Sequence, residues 1–579
     1  MRSKNADKDE GKPRRGKTSS PELREKFLNF FKKKGHKIVP SSSLIPTDPS
    51  VLFTTAGMQQ FKEYFLGKPS PFGKRVVSSQ KCFRTSDIEE VGNIRHLTFL
   101  EMLGNFSFGD YFKEEAIKFA FDFLFQELKL DKDDFIFTVF EGDNEVPFDE
   151  ESFLILRKLG IPENKIKKCP RSENFWGPTG EEGPCGPTAE IHFKNIELWN
   201  LVFNEYYQDR NKKLIPLKQK GVDTGIGLER LATVCQGKSS VYETDLFFPL
   251  MEELQKCTGL AYTNLKARRI IADHIKGAVF LAAEEIFPSN VEKGYVLRRI
   301  LRRAIRFGKL LNLPKNFLIL LAKKVIEIYK NVYPELQSRE NDILTVIQKE
   351  EEKFEKTLEK GLKQFEKIAE KGEILGLEAF HLFDTYGFPL ELTIELAKER
   401  NLKVDEKGFQ EAFKKHREVS RAGVEKKFGG IGKEATSEAT KLHTATHLLH
   451  RALREVLGEH VKQMGSDINP QRLRFDFSHF QKLTSEEIKK VEDLVNQRIK
   501  ENLVVKKEEM RYGEALKSGA LALVKEKYPE KVTVYTIGDF SKEICAGPHV
   551  KKTSELGQFK IIKEESLGAG IRRIRAILK

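Results

Sequence analysis

Apolar positions three and four apart mark the first element of the chain. Ser20 stands as an N-cap and Pro21 at the first helical position, with Leu23, Phe27, Phe30 and Phe31 along one face, which predicts a helix running to Gly35. Short apolar segments then alternate with helical patterns to about residue 245, so 21–245 reads as a mixed α/β domain. From 246 to 420 helical periodicity dominates, including a charged helix from Ile343 to about Ile368. A Gly-, Lys- and Ser-rich stretch over 421–438 has the make-up of a linker. Beyond it, 439–579 alternates helix and strand signals again, with Leu473 to Phe477 and Val532 to Tyr535 as strands. Residues 1–20 hold almost no apolar side chain and predict a disordered basic tail. No repeat of fixed period is present. The pattern is that of a multidomain α+β protein.

Composition narrows the class. With 579 residues, 39% hydrophobic and 32% charged, the chain is that of a globular protein with several cores. No apolar run approaches the roughly 20 residues that cross a bilayer, and no signal-peptide pattern is seen, so a cytoplasmic protein without membrane contact is expected. Six cysteines over this length argue for a reducing compartment rather than a disulfide framework. The net charge of +14 points to a polyanionic partner.

Four stretches carry candidate chemistry. Gly221 to Leu231 holds Asp223, three glycines and Arg230 at a strand-to-helix junction, where Gly225 and its fellows admit a close ligand. Asp223 suits an amino group there and Arg230 a phosphate; the alternative is a helix cap and a surface cation. Arg84, a polar loop and Arg95 form strand, loop, strand, with an arginine at each strand end. Gly67 to Arg75 is not a P-loop, because its spacing is one residue too long and Arg75 replaces the Ser/Thr. In Gly294 to Lys309, arginines 298, 299, 302, 303 and 306 line one helix face and Leu297, Ile300, Leu301, Ala304 and Ile305 the other. So dense a stripe repels itself without a polyanion, which predicts RNA backbone contacts over a merely solvated face. Finally, His443 and His447 lie one helical turn apart, and Cys545 and His549 flank a tight Gly-Pro turn, a His₃Cys set suited to tetrahedral Zn²⁺.

Taken in order, Val39–Leu44 with Asp48–Leu66, Arg84–Tyr111, Asn174–Trp176, Gly183–Pro187, Trp199–Phe203 and Gly221–Leu231 resemble the alanyl-tRNA synthetases, class II aminoacyl-tRNA ligases, over nearly everything after residue 20. The resemblance implies a class II antiparallel-sheet catalytic domain over 21–245, a helical tRNA-recognition domain over 246–420 and an α+β editing domain over 439–579. It implies ATP-dependent attachment of alanine to tRNA(Ala) through an alanyl-adenylate, Mg²⁺ accompanying ATP. Arg84 would hold the α-phosphate and amino-acid carboxylate, Met102 and Trp176 the adenylate, and Asn200 and Val202 the alanine. Asp223 would hold the ammonium and Arg230 the terminal phosphates. Asn290 and Asp384 would read the acceptor stem, with Arg298, Arg302 and Arg306 beside them. The last domain would hydrolyse seryl- or glycyl-tRNA(Ala), with Gln463 near its pocket and Zn²⁺ on His443, His447, Cys545 and His549. Its alternative is a synthetase-like RNA-binding protein without activation. The chain departs from the pattern in its short loop after Arg84, in Leu97, in Pro548, in the absent β-barrel part before His443 and in the absent C-terminal module, which predicts a monomer.

Overall fold

The computed structural model describes residues 18–579 apart from 49, 179, 195, 259–263, 426–435, 480, 523–528 and 569. The expected tail thus lies outside the described residues as far as residue 17, as does the middle of the expected linker. Helix Glu406–Glu425 runs up to that segment and helix Ser437–Leu457 follows it. Two compact units divide at residues 352 and 353, within helix Glu340–Ala369.

The first unit is built on a sheet of nine described strands. They are β1 (Lys37–Ile38), β2 (Arg75–Phe83), β3 (Phe99–Phe108), β4 (Phe135–Phe140), β5 (Ile166–Cys169), β6 (Phe175–Trp176), β7 (Gly183–Phe193), β8 (Ile196–Gln208) and β9 (Leu214–Gly227). Their order is β1-β2-β3-β9-β8-β7-β4-β5, with β6 on β7. From β2 to β4 every ladder is antiparallel; only the edge pairs β1–β2 and β4–β5 are parallel. The last of these strands in sequence, β9, sits centrally between β3 and β8.

Alternation along β8 explains how this sheet serves two purposes. Trp199 is fully buried and its ring packs 5.7 Å from Phe27 of helix Ser20–Lys33 and 5.8 Å from Phe123. Each such aromatic contributes about 1.5–3 kcal/mol by burial. Asn200 and Val202, one residue out of phase, therefore share the opposite face. Past β9 come helices Leu228–Cys235, Leu265–Ala283 and Glu292–Leu310. The Phe280 ring stacks on Phe99 of β3 at 3.8 Å, fixing the second of these helices against the sheet.

The second unit contains the helices from 353 to 425 and then two small antiparallel sheets. One has order β10 (Gln463–Asn469), β11 (Arg472–Ser478), β16 (Ile571–Leu578), β15 (Phe559–Gly568); the other is β12 (Val505–Arg511), β13 (Lys531–Ile537), β14 (Ser541–Ile544). Leu448, Leu449 and Leu453 of helix Ser437–Leu457, spaced to one face, enter a core with Phe475, Phe477 and Ile574. Among the described residues no helix is long and apolar enough to cross a membrane.

Candidate active site and metal centre

A cavity of about 420 Å³ opens on the sheet face that carries Asn200 and Val202. Every residue expected for activation or substrate binding lines it. Asp223 lies in the middle of β9, paired across the ladders with Phe106 and Val202. It is 7% exposed, and among the described residues no hydrogen bond reaches its carboxylate. Burial alone pushes that carboxyl up to about 7, because the charged form has lost water and gained nothing in return.

The Gly221–Leu231 stretch is the expected strand-to-helix junction. Gly221, Gly225 and Gly227 belong to the paired strand β9, and helix Leu228–Cys235 follows at once. What they supply is room: a Cβ on Gly225 would fall 2.9 Å from Met102 Sδ, on the floor of the cavity. Arg230 then follows in the first turn of helix Leu228–Cys235, its Nη1 donating to Glu197 O at 2.9 Å and to Glu197 Oε2 at 3.1 Å.

Arg84, just past the end of β2, lines the same cavity as Arg230. Its backbone N–H donates to Thr98 O at 2.8 Å and its Nε to Thr55 O at 3.2 Å, and no described protein group takes its Nη atoms. Two polar atoms of the lining are buried without partners, Asn200 Oδ1 and Trp176 Nε1. Buried polar atoms rarely stay unsatisfied, so both await a polar ligand. The orientation of Asn200 is set by Glu190: Asn200 Nδ2 donates to Glu190 Oε1 at 2.9 Å, and His192 Nε2 meets the other oxygen at 2.9 Å. Burial raises the Glu190 carboxyl above its usual range. One cavity thus joins a buried acid without a partner, the guanidiniums of Arg84, Arg95 and Arg230 and apolar walls, a combination matched to a small zwitterion beside a polyphosphate.

In the second unit the four expected ligands converge. The ligand atoms of His443, His447, Cys545 and His549 all lie within 4.8 Å of one another, with Cys545 Sγ 3.4 Å from His443 Nε2. Each imidazole is held by its other nitrogen: His443 Nδ1 by Pro548 O at 3.1 Å, His447 Nδ1 by Glu543 Oε2 at 2.8 Å, His549 Nδ1 by the Thr444 hydroxyl at 3.1 Å. Outer contacts of this kind orient imidazoles toward a metal. His549 Nε2 is moreover buried without a hydrogen-bond partner. Burial raises the Cys545 thiol, but the three neighbouring histidines, His443 foremost, outweigh it and bring the thiol down to about 3, so the site presents a thiolate. The set fits Zn²⁺. Gln463, at the start of β10, instead turns its amide to Ser466 Oγ at 3.1 Å.

A family model described as "tRNA synthetases class II (A)" matches residues 22–469, and one described as "Threonyl and Alanyl tRNA synthetase second additional domain" matches 532–575. The alanine–tRNA ligase of Borrelia hermsii is 50% identical over 96% of this chain and 99% of its own length. The chain belongs to the alanyl-tRNA synthetases. The ligase of Treponema pallidum is 48% identical over 96% of this chain and 98% of its own. That of a Thermotoga species is 42% identical over 96% of this chain and 80% of its own, in an alignment of 697 positions, so it carries segments that this 579-residue synthetase lacks.

The arginine-rich helix of the synthetase overturns one expectation. Arg298, Arg302, Arg303 and Arg306 are buried, as Leu297, Ile300 and Leu301 are, so no open cationic stripe exists on helix Glu292–Leu310. The charges are neutralised from within. Arg298 and Arg302 share the buried Glu350 carboxylate at 3.2 and 2.7 Å, and Arg306 lies over the Phe307 ring at 4.5 Å. Arg298 also donates to Asn290, which is exposed; Asp384 is exposed on helix Gly376–Tyr386. Among the cavity residues that escaped the sequence reading are Glu190, Glu197 and Glu229. For Glu197 a signal existed, since it lies three residues before Asn200 on the same strand as the expected alanine contacts.

Proposed function

We propose that the cavity binds ATP and alanine, forms alanyl-adenylate and transfers the alanyl group to tRNA(Ala). The observation that carries this reading is the buried, partnerless Asp223 carboxylate sharing a cavity with Arg84 and Arg230. Asp223 receives the α-ammonium of alanine, with Asn200 Oδ1 as a second acceptor, and Val202 limits the side-chain space. A carboxylate oxygen of alanine attacks the α-phosphorus of ATP; the bond to the β-phosphate breaks and pyrophosphate leaves with the electron pair. No base is required, because the nucleophile is already ionised. Arg84 offsets charge at the α-phosphate and carboxylate and Arg230 at the terminal phosphates, so the acceleration comes from positioning and electrostatics. The half-buried Glu197 beside Arg230 is placed to meet the Mg²⁺ that enters with ATP. The 3′-terminal ribose hydroxyl of the tRNA then attacks the carbonyl carbon and AMP leaves.

In this reading residues 21–245 are the catalytic domain, 246–420 recognise the acceptor stem, with Asn290 and Asp384 exposed for base edges, and 439–579 edit. The RNA minor groove suits such short side chains, being shallow and lined by base edges and 2′-hydroxyls. The His–Cys centre would hold Zn²⁺, which supplies a Lewis acid for hydrolysis of a mischarged ester. Editing is physically needed, because a pocket walled by Val202 cannot exclude glycine or serine strongly.

Alanine-dependent exchange of pyrophosphate into ATP tests the first step; a pure protein with Mg²⁺ that shows none refutes it. Arg230→Ala is expected to raise KM for ATP by about 10- to 100-fold while KM for alanine changes less than about threefold, because a charge-assisted phosphate contact is worth roughly 1.5–3 kcal/mol. Equal effects on both substrates in that assay would contradict the division of labour between Asp223 and Arg230.

A further inference from the structure

Arg299 and Arg303 of helix Glu292–Leu310 meet the loop after Arg84. The loop from Thr85 to Leu97 joins β2 to β3 and supplies Asp87, Arg95 and His96 to the lining. Guanidiniums hold its backbone and the Glu89 carboxylate. Arg303 Nη1 donates to Ile88 O at 2.8 Å, Arg299 pairs with Glu89, and Arg269 Nη1 donates to Gly92 O at 3.4 Å. At Gly92, φ is +120° and a Cβ would fall 2.9 Å from Lys266 Cγ, so the loop lies flat on helix Leu265–Ala283.

Arg303 also begins a second, buried path. Its Nη1 lies 3.0 Å from His274 Nε2, and His274 Nδ1 lies 3.0 Å from Asp273 Oδ2, so the imidazole accepts from arginine and donates to the acid. Asp273 in turn accepts from Thr98 N at 2.9 Å and Thr98 Oγ1 at 2.7 Å. Thr98 O accepts the backbone N–H of Arg84 at 2.8 Å. All four side chains of the path are buried. A charge-assisted network of this kind rigidifies what it touches.

The geometry points to Arg303, seconded by Arg299, as a positioning residue for the ATP half of the site. It fixes the loop through Ile88 O and the main chain of Arg84 through His274, Asp273 and Thr98. The groups that meet alanine's ammonium and methyl do not depend on it: Asp223, Asn200 and Val202 take their places from the β8–β9 ladder, and alanine shares with ATP only the Arg84 contact. The inference rests on the cavity being the site of alanine activation.

Arg303→Lys tests it, since an ammonium cannot serve Ile88 O and His274 with the same fork. In alanine-dependent pyrophosphate exchange, KM for ATP is expected to rise on the order of tenfold while KM for alanine stays within about twofold. Glu89→Ala removes an exposed pairing whose loss does not threaten the fold, and is expected to raise KM for ATP about threefold. An unchanged KM for ATP in Arg303→Lys, or in Glu89→Ala should the first variant not fold, overturns the inference. So does an equal rise for both substrates, which marks a general structural loss. Native protein without exchange sinks the catalytic reading and this one together; exchange in native protein with an unmoved KM sinks this one alone.

Discussion

Asp223→Asn is expected to lower kcat/KM for alanine by about 100- to 1000-fold in pyrophosphate exchange, with KM for ATP moving less than about threefold. The magnitude follows from burial. The carboxylate stands in a strand between Phe106 and Val202 with no protein donor, so the ligand's ammonium is its sole means of recovering the solvation it lost. An amide of the same shape keeps the pocket and loses the charge pair. The same burial sets a pH dependence. The free-enzyme carboxyl titrates near 7, and only its ionised form attracts the ammonium. Native kcat/KM for alanine should therefore fall about tenfold per pH unit below 7 and level off above it, while Asp223→Asn should show no such limb.

Stability has the opposite sign. The folded carboxyl titrates above its unfolded value, so folding takes up a proton between the two. Stability is highest below the unfolded value and declines as pH rises toward the folded one. At pH 8 the asparagine variant is expected to melt no lower than the native protein. Melting well below it there would mean that the activity was lost by unfolding, and the assignment of Asp223 would fail.

Cys545→Ala is expected to remove bound Zn²⁺ and to lower deacylation of seryl-tRNA(Ala) on the order of 100-fold or more, leaving alanine-dependent exchange unchanged. Three imidazoles oriented by Pro548, Glu543 and Thr444 remain in the variant, but the one anionic ligand is gone. Metal content and ester hydrolysis should fall together. Retained hydrolysis after zinc loss would make the centre purely structural, and a native protein that leaves the seryl ester intact would end the editing proposal.

Much of this site is legible without coordinates. His443 and His447 share a face because four residues make one helical turn, and the alternation of β8 separates Trp199 from Asn200 with no help from the rest of the chain. Helix Glu292–Leu310 shows where such reading ends. Its apolar face is buried as the periodicity requires, whereas its arginines are buried against the expectation, because their counter-charges and acceptors come from Ile88, His274 and Glu350. A hydrophobic stripe declares itself by spacing, but a charge is exposed or hidden according to what folds against it.

The sequence by itself determined the elements, the spacing of the His pair, the residue types gathered in the catalytic motifs and the family to which the chain belongs. These depend on covalent neighbours, on backbone period and on strings of residues held in order. Tertiary structure alone decided that β9 enters the middle of the sheet, that Gly225 faces Met102 on the cavity floor, that Asp223 is left without a partner, and that the arginines serve Glu350 and the loop after Arg84. Each of these turns on desolvation and on partners distant in the chain, quantities that no local pattern carries.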